Sequence, residues 1–135
     1  MKKFIPDYRH LAKVLENERA NRLPLYEHHI DLPFISKYLG REIALQGNKP
    51  EDYNHFHHEV MSFWKEMTYD AFDYEAAICD IYPDHGAIIG GRPGPIQTRA
   101  DFNRYPFDEI PQIFWSTYEP HLEAIRHVMP PGMKA

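Results

Sequence analysis

Cysteine is nearly missing from this chain of 135 residues: Cys79 is the only one. A single thiol excludes an intrachain disulfide and any zinc site built from several cysteines, and it fits a reducing compartment. A basic surplus is missing too. Lys and Arg number 15 against 20 Asp and Glu, for a formal net charge of −5 and a pI of about 6.0, with no basic block. Neither nucleic acid nor an anionic membrane surface is therefore an expected partner. No apolar run is long enough to span a bilayer. The opening Met1-Lys-Lys-Phe-Ile-Pro-Asp7 has two basic residues without an apolar stretch behind them, so no signal peptide is expected and the cytoplasm is the expected compartment. Internal repeats and low-complexity tracts are lacking as well. What is present is apolar material, 43% of residues with 14% aromatic, enough for one folded domain with a real core and too much for a disordered chain.

The spacing of apolar residues sets the expected elements. Asp7 can cap a helix over roughly 8–19, with Tyr8, Leu11, Ala12 and Leu15 on one side. Residues 23–28 read as a strand. Ile35, Tyr38 and Leu39 suggest a short helix ended by Gly40. Asn48 and Glu51 have capping-box spacing, Pro50 suits a first turn, and Tyr53, Phe56, Val60, Phe63, Trp64, Met67 and Ala71 recur every three or four residues. That predicts a long amphipathic helix to about Asp70. Residues 76–82, apolar except for Asp80, read as a second, buried strand, with another short one at 87–89. Gly90-Gly-Arg-Pro-Gly-Pro95 lacks phosphate-loop spacing and reads as a rigid connection. A final helical region runs from about Ile110 to Met129, with a break near Ser116–Thr117 or a kink expected from Pro120. Helix, strand, helix, strand, loop, helix is an α/β order, and helices of crossover length between strands imply a parallel sheet.

The stretch richest in chemistry is Arg22-Leu-Pro-Leu-Tyr-Glu-His-His-Ile-Asp31, where an apolar opening runs into Glu27, His28, His29 and Asp31. Alternation along a strand puts Leu25, Glu27 and His29 on one face and Tyr26 and His28 on the other. Carboxylates beside imidazoles suit acid–base work or ligand binding at a strand end. The same four groups also read as a solvated strand end hydrogen-bonded to a neighbouring loop.

Three segments in order resemble the uroporphyrinogen decarboxylase superfamily. Asn21-Arg-Leu-Pro-Leu25 resembles the Arg-Val-Pro-Val opening of its first strand, and Ala76-Ala-Ile-Cys-Asp-Ile81 its second, which carries the catalytic aspartate in the decarboxylases. Gly94-Pro-Ile-Gln-Thr-Arg-Ala-Asp-Phe-Asn-Arg-Tyr-Pro-Phe107 resembles a segment common in divergent members. The resemblance implies the N-terminal part of a (β/α)8 TIM-barrel-like fold, about the first third of a domain that usually needs about 250 residues. It implies decarboxylase or methyltransferase chemistry in the full-length form, with a small-molecule substrate and a corrinoid partner or zinc as a possible accessory. Glu27, His29 and Asp80 are then the candidate catalytic residues, with His28, Asp31 and His85 as candidate substrate contacts. Where the decarboxylases place an arginine-bearing segment for porphyrin carboxylates, this chain has Tyr26-Glu-His-His-Ile-Asp31, so uroporphyrinogen itself is not the expected substrate.

Other readings stay open. Asp80 equally suits a structural aspartate holding amides of the following turn, and His85 a plain turn residue beside Gly86. On the long helix His57 falls on the apolar side, whereas His55 and His58 face away, which argues against a metal cluster. Taken as a whole, the chain reads as a partial barrel inactive alone. Its rivals are a non-enzymatic small α/β module that binds a ligand, self-associates or pairs with the remainder of a barrel and, less favoured, a small metalloenzyme using His28, His29 and the His55–His58 group.

Overall fold

The computed structural model describes residues 4–76 and 94–135, and the regular structure among them is helical. The helices are α1 (Arg9–Leu15), α2 (Leu32–Leu39), α3 (Pro50–Glu66), α4 (Arg99–Arg104) and α5 (Ile110–Val128), the last entered through a 3-10 turn at Phe107–Glu109. None of the described helices is long and apolar enough to cross a membrane.

Helix α3 forms for the reasons its sequence advertises. Pro50 occupies the first turn, where its missing N–H is not needed, and Glu51 and Asp52 place negative charge at the positive end of the helix. The cap is shifted by one residue from expectation: the Asp52 carboxylate accepts from the Lys49 N–H at 2.9 Å. The helix ends earlier than Asp70 because Thr68 turns left-handed, at φ 67°. The Tyr69 N–H then reaches back to the Trp64 carbonyl (3.0 Å) and the Thr68 N–H to that of Lys65 (3.1 Å), a Schellman closure with threonine where glycine is usual. Gly40, also left-handed, ends α2 as expected, and Asp31 starts it by accepting from the Phe34 N–H at 3.3 Å. Helix α1 stops at Leu15 because Asn17 turns left-handed two residues on. Thr98 and Asp101 form a capping box on α4, a signal present in the sequence and passed over there. No break occurs near Ser116–Thr117: α5 is assigned as one helix through Pro120.

The described chain divides into two compact units, Met1–Tyr74 with His121–Ala135, and Glu75–Pro120. In the first, one face of α3 (Val60, Met61, Phe63, Trp64) is buried with Ile35, Ile43, Phe72, Ile125 and Met133. Residues 132–134 tie this unit's ends together. The Gly132 carbonyl accepts from the Tyr8 N–H at 2.8 Å and the Lys134 carbonyl from the Phe72 N–H at 2.7 Å. Gly132 is required there, since a Cβ would lie 2.1 Å from the Pro6 carbonyl oxygen. In the second unit Tyr118 is buried and Phe102, Tyr105 and Phe107 cluster with ring centroids about 5 Å apart.

The expected α/β barrel portion with parallel strands is overturned: among the described residues there is no strand and no sheet. Residues 23–28 are non-helical, and no backbone hydrogen bond among the described residues involves 19–30. The physical reason is that a strand exists only through a neighbour and a face to bury. Here Leu23 is 83% exposed and Leu25 is exposed as well, so their alternation faces no core, and Pro24 supplies no donor. Among the described residues the β-type pairing is an isolated parallel bridge between Ala71 and Lys134. The strands expected at 76–82 and 87–89 fall, from residue 77 onward, outside the described residues, as does the Gly90–Pro93 part of the following connection.

Candidate functional site

Three of the residues singled out by sequence come together. Glu27, His29 and Asp31 line one open groove of about 430 Å3 in the first unit. Its apolar side comes from Phe34 at the start of α2 and from Phe63 and Met67 at the end of α3, with Ile30 and Tyr69 completing it. The Phe34 ring meets Phe63 edge-on, centroids 6.1 Å apart. Asp31 serves twice, as the cap that starts α2 and as a groove carboxylate. The left-handed Thr68 stands between two lining residues, Met67 and Tyr69. Burial pushes the Tyr69 phenol up, and the nearby Glu27 carboxylate adds to the effect, so Tyr69 keeps its proton as a hydrogen-bond donor. The groove thus offers two carboxylates, an imidazole and a phenol around an aromatic and aliphatic surface, a surface suited to a cationic or N–H-bearing head with an apolar body.

The other candidates are placed differently. His28 turns toward the Tyr26 hydroxyl, 3.5 Å from its Nδ1, and does not line the groove. Asp80 and His85 lie outside the described residues. His55 and His58 are exposed, as the helical wheel implies.

His57 lies on the apolar side of α3 as the spacing predicts, and it has a partner that the sequence reading did not supply. It is 1% exposed, and its Nε2 sits 2.9 Å from Nδ1 of His121 on α5. Tyr53, Phe56 and Tyr74 surround the pair with ring centroids 4.8 to 6.4 Å from it. Burial lowers the His57 pKa to about 4, with a smaller push from His121, and burial lowers His121 as well. His57 Nδ1 is buried and has no hydrogen-bond partner among the described residues. The available signal for His121 was its place on the apolar side of the last helix, between Tyr118 and Ile125. A second buried polar residue, Asp70, is fully enclosed; Oδ1 accepts from the Asp7 N–H at 2.6 Å and from the Arg22 guanidinium, while Oδ2 has no partner among the described residues.

Among the described residues no group of three or more His, Cys, Asp or Glu is placed to hold a metal ion. No family model, no curated protein and no solved structure matches the chain.

Proposed function

We propose that the chain is a uroporphyrinogen-decarboxylase-like protein of the methyltransferase type, whose groove binds the cationic or N–H-bearing end of a small substrate. The observation that supports this is the convergence of Glu27, His29 and Asp31 on a single groove with an apolar floor. Charge separates the two chemistries named by the resemblance. A decarboxylase substrate must bring a carboxylate, which Glu27 and Asp31 would repel, whereas a methyl donor that carries its methyl on a positive nitrogen is attracted by the same two groups. The acceptor, a corrinoid protein by the resemblance, is supplied separately, and the chain alone binds without turnover.

Calorimetric titration with benzylamine and benzoate tests this reading. Benzylammonium should bind with a Kd in the millimolar range and benzoate should not, with Glu27→Gln and Asp31→Asn each weakening the amine roughly tenfold. Equal affinity for the two probes, or an amine affinity untouched by both substitutions, would sink it.

One observation favours a second reading, an assembly module. The backbone of residues 19–30 is unpaired among the described residues, and Leu23 and Leu25 are exposed along it. Such a segment is open to pairing with another polypeptide. Light scattering combined with hydrogen exchange checks it: a concentration-dependent mass rise with new protection at 22–28 supports assembly, and a monomer with fast exchange there removes it.

A further inference from the structure

Helix α1 buries none of its residues, although its sequence gives it an apolar side. The Tyr8 N–H, just ahead of the helix, is held by the Gly132 carbonyl at 2.8 Å, so a backbone bond rather than packing sets where α1 starts. A second cavity of the first unit, of about 250 Å3, accounts for the unburied side. Tyr8, Leu11, Ala12 and Leu15, the whole of that side, line it together with Trp64 and Phe72 of the core. These two rings are nearly buried and meet edge-on, centroids 5.6 Å apart. The wall of the cavity is almost wholly apolar.

Water in such a space finds few hydrogen-bond partners, and the apolar atoms around it lack the neighbours that a close-packed interior supplies. Apolar atoms are therefore welcome there and a charge is not. Size narrows the occupant: an apolar cavity of about 150 Å3 already takes benzene, and drug-sized sites begin at roughly 300 Å3. The lining includes the rings of Tyr8, Tyr26, Trp64 and Phe72, and rings pair edge-on or offset with a further ring at a gain beyond its burial. We infer that this cavity binds a compact, uncharged aromatic molecule of about the size of a substituted benzene, seated between α1 and the Trp64–Phe72 wall. Leu11, Ala12, Trp64 and Phe72 belong to this cavity and not to the groove, so the groove reading is not needed here.

Trp64 supplies the readout. The chain has two tryptophans, so Trp115→Phe leaves Trp64 as the only one. Titration of that variant with benzyl alcohol should change Trp64 emission saturably at about millimolar concentration and slow hydrogen exchange along α1. Benzoate should do neither, and benzylammonium should not compete with benzyl alcohol. Ala12→Leu, which fills the cavity from α1 with a good helix former, should abolish the response while the helical circular dichroism is kept. Tyr26→Leu removes one ring at an exposed position and should weaken benzyl alcohol about threefold, a result that stands even where Ala12→Leu misfolds. Asp31→Asn, in the groove only, should leave the response unchanged, so that a failed groove and a failed cavity are told apart. An emission change that follows protein concentration without benzyl alcohol, with a rise in mass by light scattering, would give the cavity to a second copy of the chain. That outcome would overturn the inference. So would no saturable response to benzyl alcohol, an equal response to benzoate, a response that survives Ala12→Leu in the folded chain, or one untouched by Tyr26→Leu.

Discussion

Two sets of polar side chains in the first unit make an instructive contrast. Glu27, His29 and Asp31 are exposed around an open groove, whereas His57 and Asp70 are 1% and 0% exposed. Each buried residue has a partner on one atom, His121 or Arg22, and none among the described residues on the other, Nδ1 or Oδ2. Desolvation makes those partners costly to lose, since a buried polar atom without one forfeits what water gave it. The exposed set can trade water for a ligand at little cost to the fold. The residues that look most like a site are thus the cheapest to change, and those that look like packing are the most expensive.

The sharpest way to break that contrast is Arg22→Met. It leaves the enclosed Asp70 carboxylate with the Asp7 N–H alone, and denaturant unfolding should show a loss of about 3 kcal/mol, the low end for a broken buried pair because about a third of the Arg22 side chain is in water (34%). A loss below about 0.5 kcal/mol would mean that the two sets do not differ energetically. Acid should act next. His57 has a pKa of about 4 in the folded chain and the ordinary value of 6.5 unfolded, so between those pH values the unfolded chain binds the proton first. The stability tied to neutral His57 is complete above pH 6.5 and drains away as pH falls toward 4, by about 2–3 kcal/mol. Unfolding at a series of pH values checks this, and His57→Phe should flatten the profile.

Thr68→Gly probes the turn between the two regions. A β-branched residue at φ 67° is strained, and glycine relieves it, so stability should rise by about 1 kcal/mol. The smallest effect sharpens the contrast from the other side. Glu27→Gln and Asp31→Asn should each change stability by less than about 0.5 kcal/mol, asparagine capping α2 nearly as well as aspartate, while ligand titrations still register them.

Legibility in the sequence followed the range of the forces involved. Helix α3 was readable because its apolar residues repeat within one helix, and α2 because Gly40 is a local stop. The α3 cap was misread by one residue: an acid in the first turn can reach back from either register, and Asp52 does so instead of Glu51. Residues 23–28 looked like a strand because alternation is local, but a strand is a relation between two segments, and the described chain supplies no second one. The groove was half legible. Glu27, His29 and Asp31 were visible in one stretch, while Phe63, Met67 and Tyr69, which give it an apolar wall, come from the far end of α3. His57 could be assigned to the interior from its spacing, yet its partner lies 64 residues away and no local pattern links the two.

The closure made by residues 132–134 has a consequence for the order of events during synthesis. The first unit is discontinuous: its early part runs to Tyr74, and it is completed by a segment that begins at His121, after the whole of Glu75–Pro120 has emerged. The Tyr8 N–H and the Phe72 N–H must wait for the Gly132 and Lys134 carbonyls. Until then Phe72 and Trp64 lack Ile125 and Met133, apolar surface that a nascent chain leaves open to water or to a chaperone. The discontinuous unit therefore closes only after His121–Ala135 has been made, a late step whose rate carries the entropy of closing a loop.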